Sequence, residues 1–214
     1  MTFDIAAHLG AVKREVRDLD IDGQPGKVIV ASRVYDTTVS DLWDALTKPD
    51  RLKRWFAPVT GDLQLGGRYH VEGNASGTIT ACEPQKRAEL TWEFGGYTSW
   101  VNFSVTSAEG GALLVLEHIA PVSPHWTQYG AGAGGVGWEL GLLGLAEHFK
   151  RPDADVRAEG VGGWETSPEA KDMVRQSSTA WGEAEIAAGE TPEQARKAAE
   201  ATRRFYTGEA PMEG

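Results

Sequence analysis

Residues 129–149 read YGAGAGGVGWELGLLGLAEHF, from Tyr129 to Phe149. From Trp138 onward the large side chains recur at helical spacing: Trp138, Leu142, Leu145, Ala146 and Phe149 form one apolar stripe, which Leu143 widens. A stripe that broad needs a sheet to cover it. Seven glycines lie from Gly130 to Gly144, and each costs a helix interior about 1 kcal/mol relative to alanine. Propensity alone does not make this helix, so packing must hold it. The firm helix is expected to start nearer Gly137 than Tyr129, with a loop or frayed entry before it. Gly141 and Gly144 sit beside the stripe, either as seats for later helices or as relief that leaves room for a ligand. Glu139, Glu147 and His148 fall on its flanks, where solvent is the expected neighbour.

The chain before this helix supplies the sheet. Lys27 to Tyr35 is dense in β-branched residues after Pro25-Gly26 and reads as a strand. Thr38 or Ser40 can cap a helix carrying Val39, Leu42, Trp43 and Leu46, and a second short helix spans Asp50 to Trp55 after Pro49. Short strands then alternate with tight turns at Gly66-Gly67, Gly73-Asn74, Gly95-Gly96 and Gly110-Gly111. Leu90, Trp92 and Phe94 alternate with polar neighbours, as do Val101, Phe103 and Val105. Such short connections imply an antiparallel meander, since parallel neighbours need crossovers of a dozen residues or more. The amphipathic helix at Trp138 is the available cover for one of its faces.

The ends are of different character. Phe3 to Val16 carries apolar residues at helix-like intervals and reads as a short helix or as an edge strand from Val12 to Leu19, with Asp22-Gly23 as a turn. After Phe149 a polar, glycine-containing stretch reads as a linker. Ser167-Pro168 and Thr191-Pro192-Glu193-Gln194 open two further helices, the second with cap, first-turn proline and capping-box glutamine together. These alanine-rich helices are too small to stand alone, so they are expected to dock on the main body or on a second copy of the chain, giving a homodimer.

At 214 residues with 41% hydrophobic content the chain can bury a substantial core. A formal charge of −10 and no Lys/Arg cluster argue against a nucleic-acid partner. No run approaches a membrane span and no basic start precedes an apolar run, so neither membrane insertion nor a leader is expected, and a cytoplasmic location follows. The single Cys82 excludes an internal disulfide framework and a cysteine-rich metal site. No nucleophile elbow, zinc helix, phosphate loop or dinucleotide fingerprint is present, so no catalytic residue, metal or cofactor is assigned.

In order and spacing, Thr37 to Asp50 (TTVSDLWDALTKPD), Arg54-Trp55-Phe56-Ala57-Pro58, Asp62 to Arg68 (DLQLGGR), the strand around Trp92, Leu113 to His118 (LLVLEH) and Gly137 to Leu145 (GWELGLLGL) resemble the START/Bet v 1-like (SRPBCC) superfamily. Within it they resemble the group related to the C-terminal domain of the activator of Hsp90 ATPase. The resemblance implies an α+β helix-grip fold: a strand, two short helices, six more strands in a curved antiparallel sheet, and a long helix across the concave side. The expected division is an N-terminal extension at residues 1–26, the helix-grip domain at 27–149, a linker at 150–166 and a helical extension at 167–208.

Proteins of this kind often keep a cavity for an apolar or aromatic small molecule between helix and sheet. Its expected lining here is Trp55, Phe56, His70, Glu72, Trp92, Phe103, His118, Trp138 and Leu142. Eight tryptophans suit that reading, although each serves equally well as core. His70 and Glu72 share one strand face, and His118 shares one with Leu114 and Leu116. Arg68 reads as a surface arginine or as a counter-ion at the cavity mouth. Small-molecule binding is the leading expectation; a cyclase/dehydratase-like enzyme using the same cavity and a co-chaperone-like interaction domain are the alternatives.

Overall fold

The computed structural model describes residues 3–209. Helix α1 (Ile5–Ala11) leads into β1 (Lys13–Ile21), so the N-terminal segment holds both a helix and a strand. Asp22 and Gly23, at φ 51° and 83°, turn the chain into β2 (Gln24–Tyr35). Two successive positive-φ residues give the hairpin turn whose twist suits paired strands. Helices α2 (Val39–Thr47) and α3 (Pro49–Trp55) follow. The Thr38 hydroxyl accepts from the Asp41 amide at 3.2 Å, and Pro49 opens α3 where a missing N–H is harmless.

Six strands come next: β3 (Val59–Gly61), β4 (Arg68–Val71), β5 (Ser76–Glu83), β6 (Arg87–Phe94), β7 (Tyr97–Ala108) and β8 (Gly111–Pro121). After them stand α4 (Pro124–Tyr129), α5 (Gly132–Lys150), α6 (Val156–Val161), α7 (Pro168–Ala187) and α8 (Pro192–Tyr206), with a 3-10 turn at Trp164–Thr166. The interval expected to be a bare linker therefore contains a short helix and that turn. The strands form one curved antiparallel sheet in the order β1-β2-β8-β7-β6-β5-β4-β3, and the whole is an α+β helix-grip fold.

Register fixes which residues share a face. Trp92 pairs with Ser99, Leu90 with Val101, Ala88 with Phe103, Val101 with His118 and Phe103 with Leu116. By strand alternation these residues occupy one face, which holds the buried Val101, Val105 and Leu114. Thr91, Glu93, Trp100 and Asn102 occupy the other, and so do Arg68 and His70 through their pairing with Thr78 and Ser76.

The chain falls into two units. Ser32–Ala120 and Gly141–Ala158 form the sheet unit. The chain up to Ala31, Pro121–Leu140 and the chain from Glu159 onward form the terminal unit. In the sheet unit, the Trp43 ring of α2 lies 5.7 Å from Phe103, and the Tyr35 hydroxyl donates to the Leu142 carbonyl at 3.2 Å. A Cβ on Gly144 would stand 2.7 Å from the Trp55 carbonyl oxygen. Gly144 is thus a seat for the end of α3, not for a later helix. His148 is fully buried and Glu147 nearly so, contrary to the solvent expected around them. Arg51 accounts for the first, donating through Nε to His148 Nε2 at 2.7 Å while also pairing with Asp41 at 2.8 Å. Lys150 pairs with Glu147 at 2.8 Å.

In the terminal unit α7 lies against β1 and α1, and Trp181, with no exposed surface, covers Gly135. The Tyr206 hydroxyl donates to the Ala133 carbonyl at 2.8 Å, and Thr202 to the Tyr129 carbonyl at 2.7 Å. The added helices therefore pack against α1, β1 and the start of α5. Their cover is why α5 starts at Gly132, five residues before the expected Gly137: Ala131 and Val136 are fully buried, and that packing offsets the glycine cost. Glu139, expected in solvent, has no exposed surface; it pairs with Arg14 and accepts from the Ser177 hydroxyl.

Candidate functional site

Tight turns and register build a mixed aromatic and polar cluster on the concave face of the sheet unit. Gly95 and Gly96, at φ 60° and 82°, close the β6–β7 hairpin as a two-residue turn, and counting outward from it sets Ser99 opposite Trp92. Ser99 Oγ lies 2.8 Å from His118 Nε2 and donates to the Trp92 carbonyl at 3.2 Å. The Trp92 ring meets His118 edge-on at 6.3 Å and stands 6.5 Å from Tyr69. The Tyr69 ring lies over Gly77, where any Cβ would collide with it, and its hydroxyl donates to the Thr91 carbonyl at 2.7 Å.

Around this cluster the packing is apolar. Ala57, Tyr69 and Val71 form a buried nucleus against which Phe56, Leu90 and Trp92 pack. Burial pulls the His118 imidazole down to about 4, so it is neutral near pH 7. Burial also holds the Tyr69 phenol well above the ordinary tyrosine range, with Glu93 adding to the effect. The site thus presents aromatic faces, aliphatic side chains and one neutral imidazole–hydroxyl pair.

The expected lining residues divide by place. Trp92 and His118 come together, with Phe56 packed on the same nucleus. Phe103 shares their sheet face farther along, beside Trp43. The Trp55 ring lies tilted 5.5 Å from Phe56, and its Nε1 donates to the Ala45 carbonyl at 3.1 Å. Leu142 is buried on α5. Trp138 is half-buried and belongs to the terminal unit. His70 and Glu72 are not gathered with the others. Both are exposed: His70 Nδ1 contacts Ser76 Oγ at 2.9 Å, and Glu72 faces Arg157 at 3.7 Å. Alternation along β4 sends them opposite to Tyr69 and Val71, the reason the His70/Glu72 pairing does not reach the concave face. Arg68 likewise lies on the outer face, bound through both terminal nitrogens to Glu93 at 2.8 and 2.9 Å.

Sequence reading overlooked Ser99 and Tyr69. The first was available by counting back from the Gly95-Gly96 turn; Tyr69 sits on the same strand as His70, one residue out of phase. It also overlooked the buried charge of the terminal unit. Burial raises the Glu139 carboxyl above its usual range, against the opposing effects of Arg14, Ser177 and Trp181. Glu185 is pushed up to about 7 by burial, partly offset by a hydrogen bond from the Ala131 amide at the entry to α5. Between α7 and α8 lies a groove of about 290 Å³, in which Arg203 is bound by Glu200 and Glu209 and Arg175 by Asp172. Its charges largely satisfy one another. Among the described residues no group of three or more His, Cys, Asp or Glu could hold a metal ion, and no helix is long and apolar enough to cross a membrane.

The profile of the Activator of Hsp90 ATPase homolog 1-like protein family matches residues 36–150. CalU16 from Micromonospora echinospora is similar over most of the chain. Its crystal structure shares 31% identity over 81% of this chain and 98% of that one, with a TM-score of 0.67. Its solution structure shares 32% over 84% and 97%, with a TM-score of 0.69. DynU16, described as a putative protein in the dynemicin biosynthetic locus, shares the fold at 19% identity, over 60% of this chain and 49% of that one, with a TM-score of 0.55. No curated protein matches the chain.

Proposed function

Because the chain belongs to the Activator of Hsp90 ATPase homolog 1-like protein family, whose helix-grip fold is a ligand-binding fold, we propose that it binds an apolar or aromatic small molecule on the concave face of the sheet unit. The observation that carries this reading is the His118–Ser99 pair, a neutral hydrogen-bonding couple set beside the Trp92 ring on an otherwise apolar face. Burial of ligand surface against Trp92, Tyr69 and Leu90 would supply affinity, and the pair would orient the ligand. Trp138 is not needed by this reading, nor are His70 and Glu72. DynU16 is placed by its description in a biosynthetic locus, which agrees with a small-molecule role.

Native mass spectrometry of protein purified from its own host tests it. The wild type is expected to retain a non-covalent small-molecule mass that Trp92→Ala loses while keeping its far-UV circular dichroism. Identical spectra for the two proteins would count against the site.

Catalysis at the same place is the second reading, favoured by the hydrogen-bonded histidine. A general base works best with its pKa near the operating pH. His118, at about 4, is a weak base at neutral pH, so binding ranks above proton transfer.

A further inference from the structure

The β6–β7 hairpin carries the concave face beyond the His118–Ser99–Trp92 cluster. Its pairing runs on to Phe94 opposite Tyr97 before closing through Gly95-Gly96. By alternation Phe94 and Tyr97 share the face of Trp92 and Ser99. The flanking strands stop earlier: β5 reaches β6 last at Ser76 opposite Glu93, and β8 pairs with β7 from Trp100 opposite Ile119. Phe94 and Tyr97 are consequently 58% and 76% exposed, two aromatic rings standing in water one step outward from a half-buried tryptophan. The row Tyr69, Trp92, Phe94/Tyr97 is therefore a graded aromatic surface, buried at its inner end and open at its outer end.

The polar pair narrows the chemistry. Ser99 has one hydroxyl proton and two partners in reach, the Trp92 carbonyl at 3.2 Å and His118 Nε2 at 2.8 Å. The hydroxyl oxygen has two lone pairs, and the 2.8 Å contact with His118 Nε2 engages at most one of them in either tautomer, so Ser99 Oγ keeps acceptor capacity. That capacity can take a ligand O–H. Arg68 lies on the outer face and is held by Glu93, so it is not a counter-ion for a ligand on the inner face.

We propose that Phe94 and Tyr97 are the outer contacts of the bound molecule, and that the chain selects planar aromatic ligands bearing a neutral hydroxyl group. The proposal rests on the binding reading above and adds the ligand class and the selecting residues. Flat rings can stack or meet edge-on along the whole row, whereas an alkyl chain gains only from buried area.

Isothermal titration with two probes, 2-naphthol and 1-octanol, tests it on the full chain. The double variant Phe94→Ser/Tyr97→Ser is expected to weaken 2-naphthol about tenfold and leave 1-octanol within about twofold. Phe94→Leu/Tyr97→Leu keeps apolar surface at the same exposed tip and is expected to lose the preference for 2-naphthol in the same way. Equal losses for both probes would overturn the planar selectivity, and unchanged binding of 2-naphthol would remove the hairpin tip from the site; both outcomes leave the binding reading intact if Trp92→Ala still weakens the probes. Failure of the wild type to bind either probe would overturn the binding reading and this inference with it.

Discussion

The two halves of α5 solve the same problem with different chemistry. Both contain glycines, both alternate buried with half-buried positions, and both bury ionisable groups. The half in the terminal unit buries Glu139, which Arg14 and Ser177 hold, while Trp181 covers Gly135. The half in the sheet unit buries His148 under Arg51 and sets Gly144 against the Trp55 backbone. One half is therefore secured by a buried ion pair, the other by close backbone approach and a neutral imidazole. The contrast shows that a single amphipathic stripe is the wrong picture for this helix. A helix covered beyond its apolar stripe buries its polar flanks too, and each must then find a partner.

The largest expected effect comes from breaking the ion pair. Glu139→Ala leaves Arg14 with its guanidinium largely buried and uncompensated, and should cost about 3–5 kcal/mol in urea unfolding. The double variant Arg14→Met/Glu139→Leu should recover most of that loss, because removing both charges also removes their desolvation cost. A double variant as unstable as Glu139→Ala alone would deny the pair its special place.

Next in size is an opposition in pH dependence. His118 sits at about 4 in the folded chain against an ordinary 6.5, so the unfolded chain binds more protons between those values. Its contribution is complete above pH 6.5 and is lost as pH falls toward 4, at most about 3 kcal/mol. His148, also held low by burial and by Arg51, acts in the same direction. Glu185 sits at about 7 against an ordinary 4.5, so the folded chain binds more protons in that window. Its contribution is complete below pH 4.5 and is lost as pH rises to 7, by a similar amount. The stability of His118→Asn relative to wild type should therefore fall as pH rises from 4.5 to 6.5, and that of Glu185→Gln should rise. Parallel slopes for the two variants would contradict the assignment.

The smallest effects distinguish two neighbouring glycines. A Cβ at Gly144 meets the Trp55 carbonyl oxygen at 2.7 Å, so Gly144→Ala should destabilise by about 1–3 kcal/mol. A Cβ at Gly141 meets only the rings of Trp55 and Phe56, at 3.9 and 4.0 Å, so Gly141→Ala should stabilise by up to about 1 kcal/mol. Thermal unfolding should move in opposite directions, by about 2–4 °C for each kcal/mol.

The fold was open to sequence reading because its signals are local. Turn glycines, the alternation of Leu90-Trp92-Phe94, and the caps at Thr38, Ser167 and Thr191 each lie within a few residues of the structure they specify. The site was legible in part: alternation and turn counting identify Trp92, Phe103, Ser99 and His118 as sharing a face. His70 and Glu72 share a face with each other, but two-residue spacing cannot say which one, and the pairing of Tyr69 with Gly77 decides it. Glu139 and His148 were misread because their partners, Arg14, Ser177 and Arg51, lie far away in the chain. Periodicity finds the apolar stripe of a helix and is blind to distant charges that make a polar flank burial-competent.

The central claim, that the concave face of the sheet unit is the binding surface, is tested most directly through the eight tryptophan indole N–H signals in a nitrogen-15 spectrum. With 2-naphthol as titrant, the signal assigned to Trp92 by its loss in Trp92→Phe should shift progressively, while those of Trp164 and Trp181 in the terminal unit stay in place. A titration that moves Trp164 or Trp181 and leaves Trp92 unmoved would contradict the account.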